Sequence, residues 1–444
     1  MSFRRYEKYK DSGVDWLGKV PAHWSAVPLK RVSPSQTVGI VVNPSEYVAA
    51  NGLPYLYGGD IQAGWVDHVG SRRISQEDSD RNPKTKLRAG DLVTVRVGAP
   101  GVTAVVPAEC EGGNCASVML IRRGSYDSRW LCYVMNDRVV RYQVEVVQYG
   151  AAQEQFNISH AVNFIVPRPT REEQSAIANF LDRGTAKIDA LVDEQQRLIE
   201  LLNEKRQAVI SHAVTKGLNP KASMKDSGVE WLGVIPEHWE VRRVKDVARL
   251  ESGHTPSKQV PEYWENCDIP WVSLNDSKQL AVVEYISETA FQINDLGLAN
   301  SSARLLPPGA VVFTRDATIG LAAITTRSMA VSQHLIAWCP GEQIQALFLL
   351  RVFNVMKDFL DTVTFGATIK TIGMADVKKL VTPVPPLAEQ HAITEFTSKQ
   401  KAKFDALIVE AELAVELLQE RRTALISAAV TGKIDVRHHQ REAA

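Results

Sequence analysis

The sequence lacks the features of exported, membrane-spanning and disulfide-bonded proteins. Its 444 residues include five cysteines, an odd number at unrelated spacings, which argues against a disulfide framework. Cys110 and Cys115 have no second pair with which to form a zinc site, so we predict no metal. No apolar run approaches the roughly 18 residues of a membrane span, and the N-terminus has no apolar signal-peptide core. These absences predict a cytoplasmic protein that does not contact a membrane.

An excess of positive charge is also missing. Lys and Arg number 51 and Asp and Glu number 51, so the formal net charge is zero. Any attraction for nucleic acid must therefore come from a local patch.

Catalytic motifs are absent as well. The chain has no GxxxxGK[ST], GxGxxG, HExxH or GxSxG motif. The stretch from Asn43 to Tyr47 partly matches the Asn-Pro-Pro-Tyr/Phe motif of base-amino methyltransferases, but it lacks the second proline and a glycine-rich cofactor loop. His23 and His238 recur in a PxHW motif, where a packed or capping histidine is expected instead of a general base. The sequence predicts no catalytic residue and no cofactor bound by this chain.

A long internal repeat is the main positive feature. KDSGVDWLGKVPAHW begins at Lys10, and KDSGVEWLGVIPEHW begins 215 positions later, at Lys225. At similar displacements LPYLYGGD aligns with IPWVSLND, GDLVTVRVGAPG with GAVVFTRDATIG, and VPRPTREEQSAI with TPVPPLAEQHAI. The period far exceeds the roughly 20 to 50 residues of solenoid repeats. The chain is therefore two diverged copies of one large unit.

Each copy changes from a strand pattern to a helix pattern. Short β-type runs separated by Gly, Pro and Asn fill the stretch from Ser25 to Pro167. Thr170 and Glu173 then form a capping-box sequence, which predicts a long helix to about Thr215. Gly184 favours a kink or a separate short helix in its first turns.

Apolar residues at 3,4-spacing in both helical stretches predict a coiled coil. A single core helix in each copy is the alternative. The matched copies and their length favour an antiparallel pair within the chain. The predicted core positions are Ile188, Leu191, Leu198, Leu202 and Val209 in the first copy and Phe404, Leu407, Ala414, Leu418 and Leu425 in the second.

These patterns together predict an α+β fold. It is a tandem duplication of a mixed, mostly β domain followed by a long helix, with pseudo-twofold symmetry. The predicted divisions are a first globular domain with an N-terminal scaffold segment (1–168), a central helical region (169–222), a second globular domain (223–384), a C-terminal helical region (385–436) and a tail (437–444).

The ordered motifs resemble the specificity (S) subunits of type I restriction-modification systems. The resemblance rests on WLGKVPAHW and WLGVIPEHW, SGHTPSKQVPEYWENCDIPWVSLND, VVFTRDATIG, PPLAEQHAI and the KIDAL and KFDAL helices, and it extends from about Lys10 to Asp435. Each motif is weak alone, but the repeated order is specific.

This resemblance implies a non-catalytic subunit with two target recognition domains, each of which reads half of a split site in double-stranded DNA. The helices would act as a spacer and as docking surfaces for two methyltransferase (M) subunits, with restriction (R) subunits joining for cleavage. S-adenosylmethionine is then expected on the M subunits, and ATP and Mg on the R subunits. The alternatives are a helical scaffold with ligand- or protein-binding domains, or a stand-alone DNA methyltransferase.

Sequence readout is expected where the two copies differ. Arginine, asparagine and glutamine are the usual base contacts, and Lys, Ser and Thr hold phosphates. Arg96 and Arg315 occupy one position in both copies, which also fits a structural role or a shared phosphate contact. The candidate DNA-binding residues are Arg96, Gln148, Gln153, Gln155, Asn157, Ser257, Lys258, Asn275, Lys278, Arg315, Thr318, Lys370 and Thr371.

Overall fold

The computed structural model describes residues 3–150, 154–366 and 370–437, which form two compact units. Unit 1 contains residues up to Gln196 together with those from Leu413 onward, and unit 2 contains Arg197–Glu412. Unit 1 is thus assembled from both ends of the chain, whereas unit 2 is continuous.

Unit 1 is built on short strands and a few helices. Its strands are β1 (Tyr9–Asp11), β2 (Lys19–Pro21), β3 (Ser25–Pro28), β4 (Gln36–Val38), β5 (Leu53–Leu56), β6 (Ile61–Gln62), β7 (Trp65–Val66), β8 (Arg72–Ile74), β9 (Leu92–Thr94), β10 (Thr103–Val105), β11 (Asn114–Cys115), β12 (Met119–Ile121) and β13 (Ile165–Arg168). Its helices are α1 (Gln76–Arg81), α2 (Ser128–Asn136), α3 (Arg138–Val147), α4 (Ile158–Ala161) and the first part of α5 (Arg171–Lys216).

Unit 2 repeats this plan. Its strands are β14 (Met224–Asp226), β15 (Val234–Pro236), β16 (Glu240–Arg243), β17 (Ala248–Ser252), β18 (Ile269–Val272), β19 (Tyr285–Ile286), β20 (Phe291–Ile293), β21 (Val311–Thr314), β22 (Ala322–Thr325), β23 (Ala330–Val331), β24 (Leu335–Pro340) and β25 (Val381–Val384). Its helices are α6 (Val244–Val247), α7 (Ser277–Leu280), α8 (Asp295–Ala299), α9 (Ala346–Val355), α10 (Lys357–Thr362), α11 (Met374–Val377) and the first part of α12 (Leu387–Val430). None of the helices in the described residues combines the length and apolar composition needed to cross a membrane.

The sheets of the two units correspond strand by strand. The four-stranded sheet β10-β9-β12-β4 of unit 1 matches β22-β21-β24-β17 in unit 2, where β19 adds a fifth strand. A three-stranded sheet, β11-β5-β8, likewise matches β23-β18-β20. In each unit the strand before the long helix pairs antiparallel with an early strand, β13 with β3 and β25 with β16. The predicted duplication and the mixed, mostly β domains are confirmed.

Both long helices begin close to the predicted positions. The Thr170 backbone N–H donates to Glu173 Oε2 at 3.2 Å, and the Glu173 N–H donates to Thr170 Oγ1 at 3.3 Å, so the predicted capping box forms. The separate short helix predicted as one alternative at Gly184 is wrong, because α5 is one continuous helix, and the kink stays a prediction. A Cβ at position 184 would lie 2.9 Å from Leu425 Cδ2, which shows that this glycine accommodates the facing helix.

Within each unit the two helices pack antiparallel. In unit 1, Gly184 faces Leu425, and Asp189 Oδ1 accepts from Arg422 Nε at 2.7 Å. In unit 2, Arg206 forms an ion pair with Asp405. The predicted antiparallel coiled coil is confirmed.

The predicted core positions need a partial correction. Ile188, Leu202, Val209, Phe404, Leu418 and Leu425 are buried or half-buried, and so is Ala414. Leu191, Leu198 and Leu407 are instead exposed, at 45%, 42% and 38%. Their places are taken by the next residue along the helix, respectively Val192, Ile199 and Ile408. The resulting core series have alternating steps of four and three: 188, 192, 195, 199, 202, 206 and 209 in α5, and 404, 408, 411, 415, 418, 422 and 425 in α12.

The repeated tryptophan phrase packs against the end of a long helix in each unit. Trp24 and Trp239 are fully buried. Gly217, just after α5, has φ +73°, and a Cβ there would lie 3.2 Å from Trp239. Gly432, just after α12, has φ +72°, and its Cβ would lie 2.4 Å from Pro21 and 3.1 Å from Trp24. The phrase is therefore structural in both copies, and left-handed glycines allow the close approach.

The histidine of the phrase bonds to the first turn of a long helix. His23 Nε2 lies 2.9 Å from Glu173 Oε1, and His238 Nε2 lies 2.9 Å from Glu389 Oε2. Trp239 Nε1 also donates to Glu389 Oε2 at 3.0 Å. Both histidine side chains are about half exposed, at 44% and 53%, so they are less packed than expected. Each anchors the N-terminal segment of its copy to the helix that follows the domain.

Candidate nucleic-acid interface

A cluster of polar side chains follows strand β21 in unit 2. The Arg315 backbone N–H donates to the His334 carbonyl at 3.0 Å, and the Arg315 carbonyl accepts from Ile372 N–H at 2.9 Å. The Arg315 side chain is 22% exposed, and its Nε lies 3.8 Å from Asp316 Oδ2. The backbone is therefore fixed on both sides, while the guanidinium is partly exposed beside a carboxylate, with its Nε buried and without a hydrogen-bond partner among the described residues.

Asp316 organises the side chains around it. It is 7% exposed and accepts a hydrogen bond from Thr371 Oγ1 at 2.7 Å. His334 Nδ1 lies 2.8 Å from Asp316 Oδ2, which favours the tautomer with the proton on Nδ1. Three separate segments are thus brought together by one carboxylate.

The turn after Asp316 has a left-handed backbone. Ala317 has φ +63°, which is uncommon for a residue with a Cβ, and its N–H donates to the Lys370 carbonyl at 2.9 Å. Thr318 is exposed in this turn, and Lys370 is exposed 3.8 Å from Asp361. The structure therefore brings together Arg315, Thr318, Lys370 and Thr371.

Unit 1 repeats part of this backbone arrangement, without the carboxylate. Arg96 follows β9, its Nε donates to the Phe156 carbonyl at 3.2 Å, and its own carbonyl accepts from Phe156 N–H at 3.2 Å. Val97 stands where unit 2 has Asp316. The two arginines thus share a position but are held by different partners.

A loop in each unit is closed by a pair of backbone hydrogen bonds. Tyr149 and Gln155 exchange two such bonds of 2.9 Å in unit 1, and Phe365 and Thr371 exchange bonds of 3.1 and 2.9 Å in unit 2. Gln148 and Gln155 are half-buried at the base of the unit 1 loop. Gln153 lies outside the described residues.

Asn157 has a local structural role that the sequence analysis missed. Its side-chain oxygen accepts from Ser159 N–H at 3.2 Å, which makes it the N-cap of α4. Asn157 is exposed, so its amide NH₂ and the second lone pair of its oxygen are left for an outside partner.

The remaining candidates of unit 2 lie in or near a cleft of about 980 Å³. Lys258 and Asn275 line it, together with Trp264, Phe291 and His334. Ser257 is exposed next to Lys258, and its Oγ accepts from Gln259 N–H at 3.3 Å. Lys278 is exposed on α7 but does not line the cleft.

The cleft combines an aromatic wall with free positive charge. The Trp264 and Trp271 rings meet edge to face with centroids 5.3 Å apart, and Phe291 is 49% exposed. In the part of the chain that the structure describes, Lys258 forms no ion pair, and no cluster of three or more His, Cys, Asp or Glu is arranged to hold a metal. Glu265 also lines the cleft, so the aromatic wall suits a planar partner and Lys258 offers one local contact for an anionic group.

Comparison with known proteins agrees with this arrangement. Residues 236–413 match the family described as the type I restriction modification DNA specificity domain. The specificity subunit of the type I restriction enzyme MjaIX from Methanocaldococcus jannaschii is 28% identical over 191 residues, which is 43% of this chain and 43% of that protein. The match therefore covers less than half of the length of that relative. The putative MjaX specificity subunit from the same organism is 21% identical over 98% of this chain and 99% of its own length.

Solved structures share the fold. A chain from a structural study of complex assembly and conformational transition of the type I R-M system has a TM-score of 0.71 at 17% identity, covering 93% of this chain and 98% of its own. The HsdS subunit from Thermoanaerobacter tengcongensis has a TM-score of 0.55 at 17% identity, covering 94% and 98%. The solved structures show that the fold is shared, and the family match over residues 236–413 and the nearly full-length similarity to the MjaX subunit support a specificity subunit of a type I restriction-modification system.

Proposed function

We propose that this chain selects the DNA sequence on which a type I restriction-modification complex acts, with one half of a bipartite site read by each globular domain. The observation that carries the proposal is the twin construction of the units, in which two sheets, a clustered arginine and a closed loop recur in the same order. The divisions 1–168, 169–222, 223–384, 385–436 and 437–444 stay our proposal for the domain boundaries. Similarity to the specificity subunits supports a recognition subunit instead of an enzyme.

We propose that some polar residues of the two domains contact bases and that others contact phosphates. Base contacts are assigned to side chains with a paired donor and acceptor or a guanidinium, and phosphate contacts to Lys, Ser and Thr. The proposed set is Arg96, Gln148, Gln153, Gln155 and Asn157 for the first domain, and Ser257, Lys258, Asn275, Lys278, Arg315, Thr318, Lys370 and Thr371 for the second. The balanced net charge fits a subunit whose partners supply part of the DNA clamp.

We further propose that the coiled coil is a spacer and that its outer face docks two M subunits. The exposed Leu191, Leu198 and Leu407 supply apolar surface that the core of the coiled coil does not use. Two similar units can present equivalent surfaces to two identical partners. S-adenosylmethionine would be bound by the M subunits, ATP and Mg by R subunits, and the assembly would work in the cytoplasm, where the DNA lies.

Two measurements test these proposals. Native mass spectrometry of the assembled complex should give one copy of this chain with two M subunits, and sequencing of methylated bases should give a motif in two separated parts. An obligate one-to-one complex would refute the docking proposal, and a contiguous motif would refute the assignment of one half-site to each domain.

A further inference from the structure

One short turn recurs in both units, and its one exposed position carries a different residue in each. In unit 2 the 3₁₀ turn Leu274–Asp276 follows β18, and in unit 1 the turn Gly58–Asp60 follows β5. The aspartate that ends each turn accepts from the backbone N–H three residues earlier, Ser273 or Tyr57, at 2.7 Å. The middle residue of the turn is Asn275 in unit 2 and Gly59 in unit 1.

The surroundings of Asn275 fix its amide group in one orientation. Ser273 Oγ donates to Asp276 Oδ2 at 3.3 Å, so its only proton is committed to a carboxylate. Ser273 Oγ therefore accepts from Asn275, both from the backbone N–H and from Nδ2, each at 3.3 Å. If the Asn275 amide were flipped, its Oδ1 would face Ser273 Oγ, whose proton is already donated to Asp276.

This orientation leaves a donor and an acceptor side by side at the surface. Asn275 is exposed and lines the cleft, and one proton of its Nδ2 is not used by Ser273. Among the described residues, Asn275 Oδ1 accepts no hydrogen bond. A neighbouring donor and acceptor match adenine, which presents the N7 acceptor and the N6 donor in the major groove.

Other residues of the cleft fit a base pair that contains adenine. Phe291 is 49% exposed, and an apolar side chain is a suitable contact for the methyl group of the paired thymine. Lys258 is exposed and can hold a neighbouring phosphate. Gly59 in unit 1 has no side chain, and a Cβ there would meet nothing within 4 Å.

We propose that Asn275 is a specificity-determining residue that reads an adenine in the half-site of the second domain, whereas the twin turn of the first domain reads no base through Gly59. The inference rests on the proposed function, since it needs the second domain to contact the major groove. Beyond that function, it states which base is read, which residue reads it, and that the corresponding turn of the first domain does not.

The experiment compares Asn275→Ala, Asn275→Asp and Gly59→Ala in the complex with its M subunits. For each variant the methylated motif is determined base by base in cells. Asn275→Ala should lower discrimination for adenine about tenfold or more at one position of one half-site. Asn275→Asp has nearly the same size but no donor, so it should lose adenine too. Gly59→Ala should leave the whole motif unchanged, and so should Asn300→Ala, whose exposed amide lies outside the cleft.

The outcomes separate this inference from the proposed function. An unchanged motif in a folded Asn275→Ala complex, relaxation at a base other than adenine, or equal effects on both half-sites would overturn the inference. A wild-type complex that methylates without a two-part motif would instead refute the proposed function. Thermal unfolding and retention of the M subunits establish that each variant is folded and assembled.

Discussion

The register of the coiled coil makes adjacent residues of α12 respond differently to the same substitution. Ile408 is 9% exposed at a core position, whereas its neighbour Leu407 is 38% exposed. Replacing a buried isoleucine by alanine costs about 2 to 5 kcal/mol, because it removes buried methyl groups and leaves a cavity. Leu407→Ala should cost about 1 kcal/mol or less, since much of that side chain is already in water. Leucine and isoleucine differ in helix propensity by less than about 0.7 kcal/mol, so propensity does not account for the expected difference.

For a unit the size of Arg197–Glu412, these free energies correspond to a Tm decrease of about 4 to 20 °C for Ile408→Ala and about 4 °C or less for Leu407→Ala. Thermal unfolding of the isolated chain, followed by circular dichroism, measures both. Equal losses, or a larger loss at Leu407, would refute the core register. If Leu407 lies on the docking surface, its variant should instead retain less M subunit in a pull-down at unchanged Tm.

Three further predictions concern charge and length. Asp137 is 5% exposed and caps α3 by accepting from Val139 N–H at 3.0 Å, and burial raises the pKa of its carboxyl. A carboxyl whose pKa is raised in the folded state stabilises the protein below its unfolded pKa of about 4, and this stabilisation is lost as pH rises through the folded pKa. Asp137→Asn removes the buried charge but keeps the cap, so its Tm at pH 7 should equal or exceed the wild-type Tm. Asp137→Ala should lose about 1 kcal/mol, and a large loss in the Asn variant would contradict this account. Lys258→Ala should weaken binding of all DNA sequences alike and reduce the salt dependence by about one ion, measured at several salt concentrations; an effect limited to one motif would argue against a phosphate contact. Inserting one heptad in both long helices keeps the core in register and should change the gap between the half-sites in the methylated motif; an unchanged gap in a folded, active variant would refute the spacer role.

The sequence was sufficient for the features that depend on periodicity or local chemistry. The duplication, the strand-to-helix change and the capping box of Thr170 and Glu173 follow from patterns within a few residues or from the repeat itself. The core register was missed because apolar residues are adjacent at Leu191 and Val192 and again at Leu407 and Ile408, so two 3,4-series fit α5 and α12 equally well. Only the facing helix decides between them.

Contacts that join distant segments were less predictable, both in the scaffold and in the candidate site. Glu173 is 150 residues from His23, and helical spacing cannot reveal such a pair. The repeat contained a usable signal, since a histidine in PxHW and a glutamate at the helix start recur together in both copies. The capping role of Asn157 and the cluster around Asp316 depend on backbone geometry that composition does not encode.

The discontinuity of unit 1 has a consequence for synthesis on the ribosome. Ala429, Val430, Ile434 and Val436 belong to the same apolar core as Trp24, and the Asp435 N–H donates to the Arg4 carbonyl at 2.8 Å. The N-terminal domain emerges first but lacks this part of its core until residues 429–436 have been translated, whereas all of Arg197–Glu412 is available earlier. The second unit can therefore complete its folding first, and the nascent first unit keeps apolar surface uncovered until residues 429–436 emerge.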